Sequence, residues 1–196
     1  MSDVLSLIQT PLMDTTKLRL ALLLYVHIVE MKAPYHVIAN MLRVAQGERY
    51  NLAPFGGARG PKVKIQKIKA AAKEAGFPAV GELFETFYSS AIRNAFAHSA
   101  YVIHGDQFNI IGGQGIEVSP GVISHSVSVE GYVLPRIHGA IDFALGFFEI
   151  MGRSHHEYQE PKVVNARLGP DGQVIQATLI ADPKTGLIGF EATLSQ

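Results

Sequence analysis

Up to His98 apolar residues recur at helical spacing, and beyond Tyr101 that period gives way to short β-prone runs punctuated by Gly and Pro. This change of period restricts the chain to an α+β fold that is mainly α, a helical bundle of about five helices with β structure added to it. Asp14, followed by two threonines, caps a helix from about Thr16 to Met31, with Leu18, Leu22, Tyr25 and Val29 on its buried face. Pro34 lacks an amide hydrogen and interrupts the pattern, so a second helix is expected from Tyr35 to Ala45, ended by Gly47 in a left-handed cap. NLAPFGGARGP, residues 51–61, reads as a loop. A third helix is expected over Lys62 to Ala75, closing at Gly76. A fourth spans Ala79 to His98 with Phe84, Tyr88, Ala91 and Ala95 on one face.

The run YVIHGDQFNII has apolar stretches either side of His104-Gly105-Asp106 and predicts an inserted hairpin. Residues 115–132, rich in Ser, Gly and Val, supply loop and one short strand. Helical spacing returns from Leu134 to about Tyr158 through Ile137, Ile141, Leu145 and Phe148. Three β-prone runs then follow, separated by GPDG and DPKTG. Pro fixes φ and Gly accepts positive φ in such turns, so a three-stranded meander is expected. The domain reading is a helical bundle over 1–160 with a β insertion at 101–132, and a meander over 161–196. So short a meander cannot hold itself together and must pack on the bundle or on a partner subunit.

Charge sets the next limits. Lys+Arg and Asp+Glu are both 17, so the whole chain has no net pull toward nucleic acid or membrane. The absence of cysteine excludes disulfides, thiolate catalysis and Cys-based zinc sites within it. The opening MSDVLSLIQTPLMD lacks the basic, apolar and small-residue order of a signal peptide. LRLALLLYVHIV contains Arg19 and His27 and is too short to span a bilayer, so a cytoplasmic protein with no membrane partner is expected.

A local asymmetry hides in that balance. Arg59, Lys62, Lys64, Lys67, Lys69 and Lys73 fall in one stretch without an acid. Two readings stand: Arg59, Lys62, Lys69 and Lys73 form a track for a phosphate backbone, or the lysines hydrate a surface helix and pair with Glu74, Glu82 or Glu85. FGGARGPK lacks the Gly-Lys-Ser/Thr that a P-loop requires. The eight histidines invite a metal reading at His104, His125, His138 and His155-His156-Glu157. Adjacent helical residues point about 100° apart, and no H-E-x-x-H occurs, so neither metal nor other cofactor is expected.

The chemistry-bearing stretch is AIRNAFAHSAY, residues 91–101. Asn94 and His98 are four apart and share a helical face, whereas Arg93 and His98 point about 140° apart. A site using both therefore needs the helix to end near His98, or two copies to meet across a two-fold axis. Imidazole changes charge near neutral pH and can take or give a proton at a 2′-hydroxyl. Arginine can grip a phosphate, and the Asn94 amide can fix the imidazole or a non-bridging oxygen. The alternative is structural: Asn94 and His98 close the helix, and Arg93 pairs with Glu82, Glu85 or the helix dipole.

Arg93-Asn94-x-x-x-His98 resembles the R-x(4–6)-H motif of the HEPN (higher eukaryotes and prokaryotes nucleotide-binding) family, in its Arg-Asn-x-x-x-His form. The motif closes a penultimate helix and a long final helix follows, over residues 15–158. The resemblance implies a helical bundle dimerising through the motif-bearing helices. It also implies a metal-independent endoribonuclease of toxin or defence type, with His98 as acid/base, Arg93 on the phosphate and Asn94 orienting. Other family members are silent modules that bind a protein partner or a small ligand, and that alternative stands beside the first. The β insertion and the meander depart from the minimal bundle.

Overall fold

The computed structural model describes residues 14–158, 160–168 and 173–192, and the fold is α+β and mainly α. The helices are α1 (Thr15–Glu30), α2 (Lys32–Ala45), α3 (Pro61–Glu74), α4 (Pro78–Phe87), α5 (Ser90–Ala97) and α6 (Leu134–His156). The strands are β1 (Tyr101–His104), β2 (Gln107–Ile110), β3 (Ile116–Ser119), β4 (Val122–Ser124), β5 (Ser126–Ser128), β6 (Lys162–Leu168), β7 (Gln173–Asp182) and β8 (Gly186–Ala192). A π-helical turn, Val129–Val133, leads into α6. The chain divides into two compact units, residues 1–144 and 145–196, with the division inside α6. The opening segment through Met13 and the GPDG turn lie outside the described residues.

Local signals set most helix ends. Asp14 Oδ1 accepts from the Thr16 N–H at 2.8 Å, and Pro61 and Pro78 open α3 and α4, where a missing N–H is harmless. Gly47 and Gly76 take φ of 76° and 80° just beyond α2 and α3. Pro34 does not delay α2 to Tyr35. The break falls at Met31, with ψ of 127°, and Pro34 sits in the first turn, where no intrahelical hydrogen bond is lost.

The predicted fourth helix, Ala79–His98, is two helices. Tyr88 and Ser89 are extended, and the buried Tyr25 hydroxyl of α1 fills the gap. It accepts from the Ser89 N–H at 2.9 Å and donates to the Phe87 carbonyl at 3.1 Å, replacing ladder bonds that the break removes. Burial pushes the Tyr25 hydroxyl far above its ordinary pKa, with the Ser89 hydrogen bond opposing, so it stays a neutral donor and acceptor.

The core of the first unit runs from Leu18, Leu22 and Tyr25 through Ile68 and Phe84 to Phe108, Val133 and Ile137. Phe84 stacks on Tyr35 and tilts against Phe87 and Phe143. α3 and α4 approach so closely that a Cβ on Gly81 would lie 2.9 Å from the Lys69 Cα.

The insertion is larger than one hairpin. β1 and β2 pair as expected, Tyr101 opposite Ile110 and His104 opposite Gln107, and β5 adds to the free edge of β2. β3 and β4 form a separate two-stranded ribbon. The edge pairing of β5 is long-range, and no turn signal in the sequence announces it. Asp106 fixes it, accepting from Ser128 Oγ at 2.7 Å and the Glu130 N–H at 2.8 Å. In the second unit β6, β7 and β8 form the antiparallel meander, with Asp182 Oδ1 closing the β7–β8 turn through the Lys184 and Thr185 N–H groups.

Candidate functional site

The motif occupies α5, a helix fixed at both ends. Ser89 Oγ accepts from the Ile92 N–H at 3.3 Å as its N-cap. At the other end the Ala100 N–H reaches the Ala95 carbonyl (2.8 Å) and the Ser99 N–H reaches Phe96 (3.0 Å). This is a Schellman closure with His98 at the C-cap. Its left-handed position is filled by Ser99 at φ of 52°, where Gly is the usual residue. The helix therefore ends at the imidazole, one of the two arrangements the spacing allowed.

Arg93 is not directed at His98. Its Nε lies 2.5 Å from Glu30 Oε1 on α1, its Nη2 pairs with the same oxygen, and its Nη1 donates to Asn94 Oδ1 at 2.7 Å. The pairing partner is thus Glu30, not Glu82 or Glu85. The pair is part-buried and fixes the turn of α5 against α1. Tyr88 lies within the same electrostatic reach: burial raises its hydroxyl pKa, the Arg93 charge opposes that, and Glu30 adds to it.

Asn94 and His98 share a wall, as their spacing requires. They line a cavity of about 270 Å³ together with Ala95, Ala100 and the Gly112–Gly115 loop. His98 is exposed, and its ring makes no hydrogen bond among the described residues. The Arg93 bond turns the Asn94 oxygen toward the guanidinium, so the Asn94 NH2 is the end left available.

A cavity of about 990 Å³ adjoins the first, sharing Ser90, Ala91 and Gly113–Gly115 with it. Lys62 and Lys69 of the basic helix line it, while Arg59 and Lys73 line neither cavity. Lys69 is paired with Glu85, as one of the two readings of that helix expected. The sequence reading missed Arg136 of α6. Its guanidinium lies 3.4 Å from the Tyr132 ring centroid, and its Nη1 donates to the Tyr132 carbonyl at 3.1 Å. Its Nε is buried without a partner among the described residues. One signal was available: a cation in the first turn of a helix opposes the macrodipole and calls for another reason to be there.

Among the described residues no three His, Asp or Glu side chains converge on a point where a metal could bind. His125 instead lines the larger cavity. Among the same residues no helix is long and apolar enough to cross a membrane. Comparison with family models, with curated proteins and with solved structures gives no match for this chain.

Proposed function

We propose that the chain is an HEPN-like RNA-binding protein that cleaves RNA without a metal, acting as a homodimer. The observation that carries this reading is the His98 imidazole, unbonded at the end of α5 and sharing a cavity wall with Asn94. His98 takes the proton of a ribose 2′-hydroxyl, and the 2′-oxygen attacks the adjacent phosphorus. The 5′-oxygen leaves with a proton, giving a 2′,3′-cyclic phosphate and a 5′-hydroxyl. The Asn94 NH2 holds a non-bridging oxygen. With its charge matched by Glu30, Arg93 acts here as a positioning residue for Asn94 and not as the phosphate ligand that the family resemblance implies. A second copy, bringing another His98 to the two-fold face, supplies the acid.

RNA cleavage by wild type and His98→Ala, with EDTA present and product ends analysed, tests the reading. Cleavage that persists in EDTA, leaves cyclic phosphate and is lost in the variant supports it. Equal activity in both proteins, or none in either, refutes it.

A second reading draws on the Arg93–Glu30 pair: a guanidinium already committed to a carboxylate and an amide suits a silent interaction or ligand-binding module. There Arg93→Ala lowers the melting temperature and leaves RNA untouched.

A further inference from the structure

We propose that Ser99 is a specificity-determining residue of the His98 site, its hydroxyl bonding the ribose 2′-hydroxyl of the unit next to the scissile phosphate. This rests on the cleavage reading for its substrate and adds to it a residue that the motif does not contain.

The starting observation is a side chain kept where the backbone disfavours one. Ser99 has φ of 52°, and every other left-handed position among the described residues is glycine. A Cβ is strained at that dihedral, and glycine closes a helix without the strain, as Gly47 and Gly76 do beyond α2 and α3. A polar side chain can offset such strain by bonding the nearby backbone. Ser99 does not. Its N–H reaches the Phe96 carbonyl at 3.0 Å, while its Oγ makes no hydrogen bond among the described residues. The side chain is also exposed, so it fills no space in the core. A strained residue whose side chain serves neither the cap nor the packing points to a contact outside the chain.

The position of Ser99 narrows that contact. It directly follows His98, whose exposed ring is likewise unbonded among the described residues. His98 and Ala100 line the smaller cavity and Ser99 does not, so its hydroxyl stands outside the cavity, at the end of α5. At about 270 Å³ the cavity is smaller than the roughly 300–1,000 Å³ of sites that enclose a small molecule. A strand with its reacting ribose at His98 therefore runs on past the cavity walls, and Ser99 meets the neighbouring unit.

Charge decides which group of that unit it meets. The C-terminal end of a helix carries partial negative charge, and among the described residues no Lys or Arg lines the smaller cavity. Both disfavour a phosphate at Ser99. A ribose hydroxyl is neutral and, like the serine hydroxyl, both donates and accepts. It is also the group by which a protein tells RNA from DNA.

Three short strands test the assignment. Each has a ribose at the cleaved position in an otherwise 2′-deoxy oligonucleotide; the second adds a ribose at the 3′ neighbour and the third at the 5′ neighbour. End labels separate the products, so cleavage at the common position is read alone. Wild type, Ser99→Ala and Ser99→Gly are compared by kcat/KM with EDTA present, and a thermal melt of each checks folding. Wild type is expected to prefer the added ribose at one neighbour by about fivefold, the effect of one neutral hydrogen bond, and both variants to lose the preference. Ser99→Ala keeps the strain and Ser99→Gly relieves it, so equal loss in the two assigns the effect to the hydroxyl. The proposal is overturned if wild type is indifferent to the added ribose, or if either variant keeps the preference. Wild type that cleaves without discriminating removes the Ser99 contact and leaves the cleavage reading standing. Wild type that cleaves none of the strands removes both.

Discussion

Replacing Tyr25 by Phe removes one oxygen atom from the centre of the bundle and should have an effect far out of proportion to that change. The ring stays packed, so the apolar contribution is nearly unchanged. What is lost is the acceptor for the Ser89 N–H at 2.9 Å and the donor to the Phe87 carbonyl at 3.1 Å, both in a site where Tyr25 has no solvent exposure. A buried backbone group left unpaired costs about 1–3 kcal/mol, and a carbonyl tolerates it better than an N–H. A loss of about 2–4 kcal/mol follows, equivalent to roughly 4–16 °C in melting temperature for a chain of this length. Urea unfolding followed by far-ultraviolet circular dichroism measures it, and an unchanged slope confirms that the native fold is still the starting point. Tyr88→Phe, at a half-buried hydroxyl, is the matched control and should cost under about 1 kcal/mol. A Tyr25→Phe loss below about 0.5 kcal/mol at unchanged slope would show that the α4–α5 break satisfies itself without the hydroxyl. The break also aims α5.

Further outcomes follow from other contacts. Ser99→Gly should stabilise the protein by about 1 kcal/mol in the same titration, because φ of 52° strains a residue with a Cβ and suits glycine. Gly81→Ala should destabilise by about 1–3 kcal/mol, since the new methyl meets the Lys69 Cα backbone atom at 2.9 Å. Asp106 accepts from Ser128 Oγ and the Glu130 N–H, and these bonds hold its carboxyl below the ordinary Asp range. A folded-state pKa below the unfolded value adds stability that is present above about pH 4 and fades as acid protonates the folded carboxylate. The stability gap between wild type and Asp106→Asn should narrow from pH 6 toward pH 2, and a constant gap would refute that origin. Glu30→Gln should leave Arg93 with its Asn94 bond and lower the melting temperature by a few degrees, as expected for a part-buried ion pair losing one charge.

The sequence by itself determined the features whose causes are local. Asp14, Gly47, Gly76 and Pro61 mark helix ends through their own φ preferences and hydrogen-bonding groups. His104-Gly105-Asp106 set the hairpin register, and the β-prone runs around DPKTG set the meander. The shared face of Asn94 and His98, with Arg93 turned away, followed from 100° per residue and needed no tertiary information. The partners of those side chains lay beyond its reach. Helical periodicity continues through Tyr88 and Ser89, and only a hydroxyl from Tyr25, 64 positions away from Ser89, stabilises the break there. Arg93 had several acids within sequence reach, and the packing of α1 on α5 selected Glu30, 63 residues away. Arg136 carries no signal in the sequence of its contact with the Tyr132 ring and carbonyl, which only the turn into α6 brings about. Turns and caps are decided by a few dihedrals and short hydrogen bonds, whereas a pairing or a pocket depends on which distant surfaces burial brings together.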